Sequence, residues 1–156
     1  MIQNRIVLDT NVCLDLFVFR DPRWTQLHSA LKDGTLEAVT REDCRTEWQL
    51  VLHYTHLKLD GGAIERVAAE FDALIRCEAN ELDASTLASG PAMVKLPVCK
   101  DKDDQKFLEL ARDTKASVLI TKDKALLKLA KKTQRDGLFS IMTPEVWLKT
   151  SQIAAA

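Results

Sequence analysis

Four carboxylates carry the chemistry this sequence suggests. Asp9 closes the apolar run Ile6-Val7-Leu8, and Asp123 follows the run "SVLIT", which ends at Thr121. A bare carboxylate between core-forming segments is costly unless something pairs with it. Glu47 precedes Leu50, Val51 and Tyr54, and Asp104 precedes Phe107, Leu108 and Ala111. That i, i+3, i+4, i+7 spacing puts each acid on the inward face of a helix. Like charges gathered in one crevice repel each other and raise their own pKa values. A divalent cation removes the conflict, and an all-oxygen donor set favours Mg²⁺ or Mn²⁺ over zinc. Such an ion activates water and clamps phosphoryl oxygens for in-line attack.

Each acid also has an ordinary structural use. Asp9 and Asp123 can cap the helices that follow them. Glu47 can be a solvated helix residue, with Glu42 and Asp43 as its equals in the same helix. Asp104 suits the positive end of a helix dipole, as Asp101 and Asp103 do. The weight lies in the combination: two strand-end acids and two inward helix acids point to one edge.

The elements that position them alternate between strand and helix. Val7 to Asp9 ends a first strand, and Thr10 to Val18 reads as a helix capped by Thr10 or Asn11. Asp21-Pro22 starts a second helix that Asp33-Gly34 ends. Leu36 to Val39 is a short strand, and Thr40 caps a third helix, from Arg41 to about His56. Ala63 to Glu78 is expected as a fourth helix, and Ser85 to Pro97 as a loop. Val98-Cys99 reads as an edge of structure. Asp104 to about Thr114 is a helix, Ser117 to Ile120 a strand and Lys124 to Lys132 a helix. Phe139 to Met142 is a final strand, with a closing helix from Pro144. The alternation implies an α/β domain with a mainly parallel sheet, whose ligands bind at the carboxyl ends of the strands.

The 156 residues fit a single domain, taken as 1–150 with a short tail at 151–156. The net charge of -1 excludes a uniformly basic nucleic-acid glove, so attraction to phosphate must be local. No apolar run approaches the roughly 20 residues that span a bilayer. No signal-peptide pattern opens the chain, and a cytoplasmic protein is expected. Cys13, Cys44, Cys77 and Cys99 form no C-x-x-C pair and read as reduced thiols. His53 and His56 could share a helix face, but no suitable third ligand lies near them, and they read as surface or structural residues.

The segments "VLDTNV" (7–12), "EWQLVL" (47–52), "DKDDQKFLELA" (101–111) and "VLITKD" (118–123) together resemble the PIN-domain family of metal-dependent ribonucleases. The resemblance covers nearly the whole chain. It implies a three-layer α/β/α fold with a mainly parallel sheet of about four to five strands. Asp9, Glu47, Asp104 and Asp123 match the family's acids in order. By that match Asp9, Asp104 and Asp123 are metal ligands, and Thr10, Asn11, Thr121 and Asp101 are the supporting polar network. One or two Mg²⁺ or Mn²⁺ ions and hydrolysis of an RNA phosphodiester follow from the resemblance, with no nucleophilic side chain. The D-x-x-D of the third motif and the ending T-x-D-x-x-L look most like the branch of toxin components of toxin–antitoxin systems. That branch points to a cognate antitoxin as a candidate partner, and the family resemblance to a homodimer.

Lys124, Lys128, Lys131 and Arg135 recur at i, i+4, i+7 and i+11, with Lys122 and Lys132 beside them. They are either a solvated helix face or phosphate contacts that lead RNA to the acids. Trp24, Trp48 and Trp147 stand apart in the sequence and read as core or interface residues rather than a stacking platform. Two other functions compete. One is a catalytically weak module that binds RNA or protein. The other is a haloacid-dehalogenase-like phosphohydrolase with Asp9 as nucleophile. Such enzymes need a second Asp two residues on, where this chain has Asn11.

Overall fold

The computed structural model describes residues 1–78 and 95–155. The expected loop at Ser85 to Pro97 lies outside the described residues for positions 85–94. Five strands form one sheet: β1 (Ile2–Leu8), β2 (Glu37–Arg41), β3 (Ile75–Glu78), β4 (Ala116–Ile120) and β5 (Ser140–Met142). Their order is β3-β2-β1-β4-β5, and every pairing is parallel. Eight α-helices are described: α1 (Thr10–Cys13), α2 (Thr25–Lys32), α3 (Glu42–Val51), α4 (Gly61–Leu74), α5 (Gln105–Asp113), α6 (Lys124–Leu127), α7 (Ala130–Arg135) and α8 (Pro144–Ala155). This is the expected three-layer α/β/α fold. Among the described residues no helix is long and apolar enough to cross a membrane.

The alternating pleat of β1 splits the core in two. Ile6 and Leu8 join Val12, Phe17, Trp48 and Phe71 on one face of the sheet. Val7 joins Phe107, Leu108, Ala111 and Leu119 on the other. Both faces are covered, so the carboxyl-terminal ends of the central strands, Ile6-Val7-Leu8 and Leu119-Ile120, are continuously apolar. Trp48 stacks on Phe71 at 5.0 Å between ring centroids, and Phe17 meets both rings edge-on. All three tryptophans are core residues.

Several expected boundaries move. The fourth helix ends at Leu74, and Ile75 to Glu78 turns into β3, in register with Ala38 to Arg41. The helical spacing of Ile64, Val67, Phe71 and Leu74 is real, but no Gly or Pro marks its end. Ile75 is already extended (φ -123°, ψ 118°), because β2 offers its backbone a ladder partner. Thr40 does not cap the third helix. It is buried within β2, and the N-cap of α3 is Arg41, which makes no side-chain capping bond. That helix stops at Val51, short of His56.

The first helix is capped by Asp9 rather than Thr10 or Asn11. It passes after Cys13 into a π-helical stretch, Leu14–Val18. The helix expected from Lys124 to Lys132 is two, broken at Lys128-Leu129. Val98-Cys99 forms no strand.

Candidate active site

The sheet order places β1 beside β4 in the middle of the sheet, where connections leave in opposite directions. A crevice opens at the strand ends there. Leu8 pairs with Ile120, and the Asp9 N–H donates to the Ile120 carbonyl at 3.1 Å. The two strand-end motifs therefore meet. Asp9 is only 4% exposed. Its Oδ1 accepts the Val12 N–H at 2.9 Å, and its Oδ2 accepts the Thr121 hydroxyl. Burial pushes the Asp9 carboxyl above its ordinary pKa. The bonds from Thr121 and from the Val12 and Lys122 N–H groups pull it down, and the Asp123 charge pushes it up again.

Thr121 ties the two motifs together. Its hydroxyl donates to Asp9 and accepts the Asp123 N–H at 3.0 Å. Asp123 in turn caps α6, accepting the Ala125 N–H at 2.8 Å. Thr121 is fully buried, so the two cleft-lining acids are joined from beneath.

Asp104 arrives from the other side, at the N-terminus of α5, where it makes no capping bond. Phe107, Leu108 and Ala111 are buried behind it, as their spacing predicts. Burial is the largest cause that pushes the Asp104 carboxyl up to about 8. A hydrogen bond with Asp123 and the charges of Asp123, Asp101 and Asp9 add to it. No donor reaches its buried Oδ2. Burial and the neighbouring acids all favour the protonated form of Asp104. Asp101 completes a trio: Asp101, Asp104 and Asp123 each offer an oxygen within 4.8 Å of the others.

Glu47 sits at the edge of the buried face of α3, not at its centre. Leu50 and Tyr54, expected to share its inward stripe, are 61% and 53% exposed. The buried residues of the helix are Cys44, Trp48 and Val51. The pattern misleads because Trp48 is the dominant apolar group and turns the helix toward itself. Glu47 Oε2 accepts the Thr10 hydroxyl, and Oε1 accepts the Lys106 ammonium at 3.0 Å.

A cleft of about 150 Å³ is lined by Asp9, Glu47, Asp104 and Asp123, with Thr10, Asn11, Val51 and Phe107. The four sequence-derived acids are thus brought together. The donor set suits a hard divalent cation: three carboxylates within reach of one point, one of them with an unpartnered buried oxygen. Asp101, expected only as support, is in the cation-sized trio. Asp9, expected as a ligand, has both oxygens engaged by hydrogen bonds.

The basic residues divide. Lys124, Lys128, Lys131, Lys132 and Arg135 are exposed. Lys122 is held by the buried Asp15 at 2.6 Å, which ties the π-helical stretch to the loop carrying Asp123. His53 and His56 are exposed. Two charged residues of the site's surroundings escape sequence reasoning. Asp15 and Lys106 have partners 107 and 59 positions away, and no local spacing marks either.

A family model described as PIN domain matches residues 5–125, a span that contains all four acids. No curated protein matches the chain.

Proposed function

The chain belongs to the PIN-domain family, a family of metal-dependent nucleases, and from that premise we propose that it is an endoribonuclease dependent on Mg²⁺ or Mn²⁺. The observation that carries the reading is the Asp101–Asp104–Asp123 trio with the unpartnered Asp104 Oδ2. A cation bound there supplies Lewis acidity toward the phosphodiester and toward water. Asp101, Asp104 and Asp123 are the residues that would hold the ion, each through one carboxylate oxygen. Asp9 stands beside them, fixed by Thr121 and the start of α1, and adds its charge to the crevice. Asn11, exposed at the rim, is a donor for a phosphate oxygen. No side chain acts as nucleophile.

The exposed Lys124, Lys128, Lys131 and Arg135 follow Asp123 directly and supply the local positive charge that a chain of net charge -1 needs to bind RNA. The biological role we propose is the toxin component of a toxin–antitoxin system. It would act in the cytoplasm as a homodimer restrained by a cognate antitoxin. The form of the third and fourth motifs, D-x-x-D at 101–104 and T-x-D-x-x-L at 121–126, supports that role.

The test is cleavage of RNA pools by wild type, Asp9→Asn and Asp104→Asn, each with Mg²⁺, Mn²⁺ or EDTA. Cleavage that needs the metal and is lost in both variants is the expected result. Cleavage that survives EDTA and both substitutions would sink the proposal.

A further inference from the structure

We infer that Lys106 is a positioning residue that takes the place of a second cation beside Glu47, so that the cleft binds one divalent ion. The inference rests on the reading of the Asp101–Asp104–Asp123 trio as a metal site. Five carboxylates stand at or beside this cleft: Asp9, Glu47, Asp101, Asp104 and Asp123. A cluster that acidic could draw in two ions. The hydrogen bonds divide it instead. Both oxygens of Asp9 accept donors, from Val12 and Thr121. Both oxygens of Glu47 accept donors, from Thr10 and Lys106. Asp104 Oδ2 is left without one, and it belongs to the trio.

The Lys106 ammonium is held in place. It donates to Glu47 Oε1 at 3.0 Å and to the Asp103 carbonyl at 2.5 Å, and it lies 5.3 Å from the Phe107 ring centroid. Its side chain is only 18% exposed. It therefore joins α3 to the turn that carries Asp101 and Asp104. An ammonium at 3.0 Å neutralises Glu47, and a second ion brought to that carboxylate would face a like charge at contact range. The arrangement also spares Glu47 the cost of standing unpaired next to the trio.

Counting Mn²⁺ on the full chain tests this, by the loss of the free-ion electron paramagnetic resonance signal on titration. Wild type is expected to bind one Mn²⁺ per chain. Lys106→Met is expected to bind two, and Lys106→Arg to return to one, because it restores the charge. Adding Glu47→Gln to Lys106→Met should also return the count to one. Two ions on wild type would overturn the inference, and that measurement needs no variant to fold. So would a folded Lys106→Met that still binds one. No binding at all would overturn both this inference and the metal site. The nuclease reading fails separately: if the count goes from one to two but no RNA is cleaved in any metal, Lys106 keeps its role and the proposed activity falls.

Discussion

Asp104→Asn should make the metal-free protein more stable while abolishing its metal-dependent activity. Asp101, Asp104 and Asp123 bring carboxylate oxygens within 4.8 Å of one another. Two unit charges at that distance repel by about 1 kcal/mol in water and by about 3.5 kcal/mol at an effective dielectric constant of 20. Asp104 has two such neighbours and is pushed up to about 8. Taken whole, that rise is worth about 6 kcal/mol. Asp104 is only half-buried, and solvent screening brings the figure down to about 2 kcal/mol. The amide keeps the shape, can donate to Asp123, and removes the charge.

The sign follows from linkage. A carboxyl with a raised folded pKa adds stability that is full below its unfolded value, near 4, and is lost as pH rises through about 8. In EDTA the variant and wild type should be equally stable near pH 4. The variant should lead by about 2 kcal/mol at pH 9. Urea unfolding followed by circular dichroism at both pH values measures the gap. Mg²⁺ should reverse the order. At a hundred times its dissociation constant it adds about 2.7 kcal/mol to wild type and little to the variant. A variant less stable than wild type in EDTA at pH 9 would refute the reasoning. So would an equal gain from Mg²⁺.

Thr121→Val removes the hydroxyl that serves Asp9 and Asp123 together. It should cost about 1–3 kcal/mol at neutral pH, and less as acid protonates Asp9, whose carboxyl is already raised by burial. Urea unfolding at two pH values checks it, and a cost that grows in acid would contradict the assignment. Cys77 is exposed, whereas Cys13, Cys44 and Cys99 are buried. A thiol reagent should therefore label one cysteine in the native protein and four after denaturation. Rapid labelling of a second would show that one of the buried positions opens.

The parts of the fold that could be read from the sequence are those where one signal dominates. β1 ends in the buried run Ile6-Val7-Leu8 and β4 in Leu119-Ile120, because helices cover both faces of the sheet there, and an acid follows each within three residues. The helix behind Asp104 shows a clean stripe, with Phe107, Leu108 and Ala111 all buried. Where two signals compete, the sequence misleads. Ile75 continues the helical spacing of α4 and is also the first ladder partner of Ala38, and the ladder prevails. Glu47, Leu50 and Tyr54 share a spacing, but the bulk of Trp48 decides which way α3 faces. Long-range ion pairs leave no local pattern, so Lys106 and Asp15 show their partners only in three dimensions.

Asp9 marks the limit of reading a residue singly. Its position after a buried strand demands a partner, and a cation is the partner that the gathering of acids suggests. The structure gives it other partners first: the Thr121 hydroxyl, the Val12 N–H and the opening turn of α1. These bonds offset part of the cost of burying a carboxylate, and they fix where β1 and β4 end relative to each other. Asp9 is therefore a cap and an anchor, and the oxygen left without a donor lies on Asp104, between the two further caps Asp101 and Asp123. The division has a physical logic. An acid with both oxygens bonded can hold the floor of a crevice rigid. An acid that lacks a donor is the one that gains most from an ion. The strain in this site falls on Asp104, whose carboxyl is pushed up to about 8 by burial and its acidic neighbours and whose Oδ2 has no donor, and it is there that a cation would repay the chain for gathering so many like charges.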